Sequence, residues 1–166
     1  MEHNTIFRVI YTLILGIVIA FFFGIGVQAF YEAPKAPEYP RASITYKENP
    51  SDEEMREQQA QDKKFEEDMR SYDEQRKPYE RNVAIILMSL AVVTVVSAFV
   101  LAPRIGFLSD GVLLGGLFTV LHSIVRGMMV DDTKFLFVMV TIAVVVVLAL
   151  GYRRFISHPE KVTSKK

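Results

Sequence analysis

Residues 9–31 read VIYTLILGIVIAFFFGIGVQAFY, 23 residues without a charge between Arg8 and Glu32. About 20 apolar residues in a helix cross the roughly 30 Å hydrocarbon core of a bilayer. This stretch is long enough, and Tyr11, Phe30 and Tyr31 suit the two interfaces. The Val27-Gln28-Ala29 triplet resembles a signal-peptide cleavage site. The apolar run, however, far exceeds the 7–15 residues of such a peptide. The reading is an uncleaved transmembrane span.

Two further stretches repeat the pattern. Between Arg81 and Arg104 lie 22 charge-free residues, with Pro103 expected to stop the helix. Between Lys134 and Arg153 lie 18, Val-rich and just long enough if nearly upright. The intervening stretch is harder to place, because Asp110 and Arg126 enclose only 15 charge-free residues. A full span there must take in charge: residues 111–130 hold His122 and Arg126, and residues 105–125 hold Asp110 and His122. The expected fold is therefore all-α, a four-helix transmembrane bundle.

Composition agrees with this segregation. The 166 residues carry 19 basic and 19 acidic side chains and are 51% hydrophobic, with the acids concentrated between the first two spans. A soluble domain would interleave charged and apolar residues, and a nucleic-acid binder would be basic, so both classes are excluded. Cysteine is absent, which removes disulfides, thiolate metal sites and cysteine nucleophiles.

The expected organisation has three parts: residues 1–31, a tail and first span; residues 32–82, a long loop; residues 83–166, three spans and a basic tail. The loop carries ten basic and fourteen acidic residues. The tail carries Arg153, Arg154, Lys161, Lys165 and Lys166 against Glu160. Basic residues close to a span end favour the cytoplasm. That predicts both termini cytoplasmic in a multi-pass protein of the cell (plasma or inner) membrane, with the loop extracytoplasmic.

Within the loop, residues 33–50 hold Pro34, Pro37, Pro40 and Pro50 and read as a stiff strap. Residues 51–77 read as a long amphipathic helix. Ser51 and Glu54 form a capping box, acids fill the first turn, and acid–base pairs such as Glu66–Arg70 follow at i,i+4. Pro78 predicts a kink before the second span. Met55, Phe65, Met69 and Tyr72 form a thin apolar stripe, a candidate partner-binding surface.

Small residues recur at i,i+4: Gly16, Ala20 and Gly24 in the first span, and Gly111, Gly115, Thr119 and Ser123 in the third. Helices in lipid associate where small residues let backbones approach, which makes these a candidate packing seam. Asp110, His122 and Arg126 form a candidate intramembrane polar site. Asp110 is expected to cap its helix. Arg126 is expected to snorkel or to pair with Asp131 or Asp132. His122 is expected to bond a carbonyl, or Ser89, Thr94 or Ser97 of the second span.

No catalytic, cofactor or metal motif is legible, so the expectation is a non-enzyme without cofactor or metal. Its expected partners are the lipid bilayer and either itself or another membrane protein, not nucleic acid. The leading function is a non-catalytic accessory or scaffold subunit of a membrane complex, or a homo-oligomer. The alternative is an oligomeric channel or transport protein with the third span lining the path.

Overall fold

The computed structural model of the chain describes residues 2–39 and 51–152. The later part of the strap, with Pro40, Tyr46 and Pro50, and the basic tail from Arg153 lie outside the described residues. Among the described residues there are four helices and no strand: α1 (Glu2–Phe30), α2 (Asp52–Ile105), α3 (Leu108–Met128) and α4 (Thr133–Gly151). All four are long and apolar enough to cross a membrane.

The expected loop helix and second span are one element. α2 has 54 residues and runs through Pro78 without interruption, about 81 Å at 1.5 Å per residue. Proline costs the helix one backbone bond but does not force it to end. The turn around Pro78 is held from outside. Lys77 Nζ reaches Asp131 at 3.3 Å, and Tyr79 stacks on Tyr31 with ring centroids 5.1 Å apart. Pro103 likewise lies inside α2, which closes two residues later before Gly106 at φ 55°. At the other end the capping box is formed: Ser51 N–H donates to Glu54 Oε2 at 2.9 Å, and Glu54 N–H donates to Ser51 Oγ at 3.3 Å.

α3 is the centre of the bundle. It runs parallel to α1 and antiparallel to α2. Against α1, a Cβ placed on Gly111 would stand 2.6 Å from Leu15, and one on Gly115 would stand 2.7 Å from Ile19. Against α2, Gly116 sits under Val95 and the Ala91 carbonyl. Only residues without a side chain permit this separation, which is why α3 lies between its two neighbours.

Two buried hydroxyls close the α2–α3 interface near its ends. Ser109 Oγ donates to the Ala98 carbonyl at 2.6 Å, and Ser123 Oγ donates to the Ala84 carbonyl at 2.8 Å. α4 packs at the edge. Its Met139 and Ala143 join Ala84, Met88 and Ala91 of α2 and Val120 of α3. Asp132 caps it, accepting from the Lys134 and Phe135 amides.

The start of α3 differs from expectation. Phe107 occupies the cap position without a side-chain bond, and Asp110 lies inside the first turn. The helix thus takes in all three ionisable groups rather than two. Asp110 is favourable there because the N-terminal end of a helix carries partial positive charge.

Candidate functional site

The three ionisable residues of α3 do not form one cluster. Asp110 and Arg126 lie at opposite ends of the helix, about 24 Å apart along its axis. Asp110 lines a cleft with Arg8, Thr12 and Phe107, where the Arg8 guanidinium lies 5.3 Å from the centre of the Phe107 ring. His122 and Arg126 sit at the other end, where the strap begins.

Arg126 is paired with neither Asp131 nor Asp132. Its Nη1 donates to both oxygens of Glu80, at 2.9 and 3.1 Å. The Arg126 side chain is 17% exposed and that of Glu80 is 7%. Glu80 is the residue that sequence reasoning missed. Charge marked the start of the second span, which placed Glu80 outside it. The signal was present in the spacing: Glu80 lies four residues before Ala84, on the face that continues through Met88 and Ala91. Extending that period one turn past Arg81 finds a buried acid.

His122 faces α1 rather than the hydroxyls of α2. A Cβ on Gly24 would stand 2.8 Å from His122 Cε1, so the glycine makes room for the ring. Ser89 and Thr94 bond the Ile85 and Leu90 carbonyls of their own helix instead. The other seam residues also divide between neighbours. Gly16 meets Leu114, and Ala20 lines a groove between α1 and α3. Thr119 is fully buried and bonds the Gly115 carbonyl of its own helix.

The strap folds back along α2. Tyr79 OH donates to the Tyr31 carbonyl at 3.3 Å, and Asn82 Nδ2 donates to Tyr31 OH at 2.9 Å. Farther out, Tyr39 OH donates to Asp62 at 2.7 Å, and its ring meets Phe65 edge-on at 5.0 Å. The Asp62 carboxylate raises the Tyr39 pKa above the ordinary phenol range, first through that hydrogen bond and then through partial burial and charge.

The apolar stripe is thus partly occupied from within. Phe65 carries the strap, Tyr72 lines a cleft of about 270 Å³ beneath Ala33 and Pro34, and Met69 is half-buried. Met55 is 42% exposed.

Among the described residues, no three His, Cys, Asp or Glu side chains come together as a metal site. Among the described residues, the arrangement ties helices together and covers the start of the strap. No family model matches the chain, and no curated protein or solved structure is significantly similar to it.

Proposed function

We propose that the chain is a multi-pass integral protein of the cell membrane with both termini cytoplasmic. In this reading it is a non-catalytic accessory or scaffold subunit of a larger membrane complex or of a homo-oligomer. The observation that carries this reading is the division of labour along α2. Its membrane half is tied to α3 by the Ser109, Ser123 and Arg126 bonds. Its other half, from Asp52 to Lys77, extends about 39 Å as a charged arm, far more than a bilayer crossing needs. A rigid arm on a firmly packed anchor suits the presentation of a surface to another protein. Transport would ask α3 to face water. Its Thr119 and Ser123 are instead fully covered by neighbouring helices, which weighs against that alternative.

The test combines topology, flux and contact. A reporter fused after Lys166 is expected to be active only in the cytoplasm, and a cysteine at Gln59 to react with an impermeant reagent from outside. Purified protein in vesicles is expected to pass no ions above lipid background. A photoreactive residue at Met55 is expected to yield a discrete protein adduct in native membranes. Robust conductance that falls when His122 becomes Ala would overturn the accessory reading in favour of the channel.

A further inference from the structure

Two clefts meet at Gln28. On one side, a groove of about 410 Å³ between α1 and α3 is walled by apolar side chains such as Ile17, Phe21 and Phe118, with His122 at its edge. On the other, the strap cleft of about 270 Å³ presents Arg76, Arg126, Glu80 and Tyr72. Gln28 lines both. His122 and Arg126 stand one turn apart on α3, so the two clefts are successive stretches of one path.

Length, charge and hydrogen-bonding capacity each narrow what fits. From Ile17 to Gln28 the groove rises about 16 Å along α1. That is close to half of the roughly 30 Å hydrocarbon core, the depth of one leaflet. The polar cleft holds two guanidinium groups and one carboxylate, which leaves one positive charge. Arg76 makes no hydrogen bond or ion pair among the described residues. Arg126 uses only Nη1 on Glu80. Its Nε and Nη2 carry three further donors in a planar fork that suits phosphate. Gln28 and His122 supply polar groups at the boundary, the level of a lipid's ester linkages.

We propose that this composite cleft binds one monoanionic phosphodiester lipid from the adjacent leaflet. The phosphate lies between Arg76 and Arg126, and an acyl chain fills the groove. Zwitterionic lipids are disfavoured, because the one carboxylate in the cleft is engaged by Arg126 and offers no partner to an ammonium. The inference rests on the membrane reading above but not on the accessory role.

The test uses the full chain in nanodiscs of equimolar phosphatidylglycerol and phosphatidylcholine, with retained lipid counted by native mass spectrometry. One phosphatidylglycerol is expected to stay bound, with a preference of about fivefold, the factor one basic group supplies at a membrane surface. Arg76→Gln should abolish the preference while helicity and melting stay unchanged. Ala20→Phe should reduce retention of both lipids by filling the groove. Should that variant misfold, the milder Ala20→Leu gives the same readout.

Soluble glycerophosphoglycerol should not displace the lipid; displacement would reduce the site to a headgroup pocket and overturn the assignment. Retained lipid matching the bulk mixture, or an Arg76→Gln protein that keeps its preference, would also overturn it. Protein that fails to float with vesicles would instead defeat the membrane reading itself.

Discussion

α3 and α4 are similar in length, 21 and 19 residues, yet they occupy opposite surroundings. α4 is the more apolar. Its Phe137, Val145 and Leu148 nonetheless stand exposed, and only the flank through Met139 and Ala143 is covered. α3 carries Asp110, His122 and Arg126, and its Thr119 and Ser123 are fully buried. In water the order would be reversed, because apolar residues go inside. In lipid an apolar side chain gains little by leaving its surroundings. Burial follows small residues and hydrogen-bonding groups instead. On the proposed membrane reading, the contrast between the two helices is a contrast between solvents.

The strongest challenge to it removes the charge that α3 is built around. Glu80→Ala leaves the largely buried Arg126 side chain without its partner and should cost about 3 kcal/mol, read from unfolding in mixed micelles. The double change Glu80→Leu with Arg126→Met should cost much less, since no lone charge remains. Equal losses would mean that packing, not the ion pair, holds this end of the bundle.

Bulk comes next. Gly115→Leu drives a side chain into Ile19 and should cost about 2 to 3 kcal/mol. Val145→Leu on α4, at a site 60% exposed, should stay within about 0.5 kcal/mol. Equal tolerance would dissolve the distinction between seam and periphery.

Ser123→Ala refines the contrast by deleting one interhelical hydrogen bond, worth about 1 kcal/mol. A loss of that size, against none for Thr141→Ala on α4, would separate a bond between helices from one within a helix.

The smallest effect lies off the bundle. Tyr39 has a raised pKa because the Asp62 carboxylate accepts its proton-bearing hydroxyl. A raised value means that the protonated form is favoured by the folded strap. The contact is therefore complete below about pH 10 and is lost as pH climbs past the raised value. Asp62→Asn should return one phenol toward the ordinary range in an ultraviolet titration. An unchanged curve would show that the clasp is not formed.

Much of this fold was legible in the chain because the rules involved are local. Charge-free length marks helices, Ser51 and Glu54 mark a helix start, and Gly111 with Gly115 mark a close approach. Glu80 escaped because a single cue, charge as boundary, was allowed to end a pattern that periodicity continues. The partner of His122 escaped for a different reason. Hydroxyls on α2 looked suitable by chemistry, but such groups often bond their own helix four residues back. The pocket was marked by a missing side chain at Gly24, a signal that names no partner. Pro78 predicts a kink, and one helix nonetheless runs through it, with contacts holding the turn on both sides.

The central position of α3 also bears on biogenesis. It is the third helix to leave the ribosome, yet it fills the space between the first and second. α1 and α2 meet mainly through Phe23 and Val27 against Tyr79 and Val83, so most of their facing surface stays open until α3 arrives. α3 brings an arginine, a group that the insertion machinery releases into lipid reluctantly. Its carboxylate counterpart is already in place on α2. On the proposed membrane reading, insertion of α3 is expected to depend on its predecessors, with the order of the helices acting as an assembly instruction. Placed alone in a host protein between glycosylation acceptor sites, α3 should insert poorly, and co-translation behind α2 should restore it. Equal insertion in both settings would show that the order carries no such instruction.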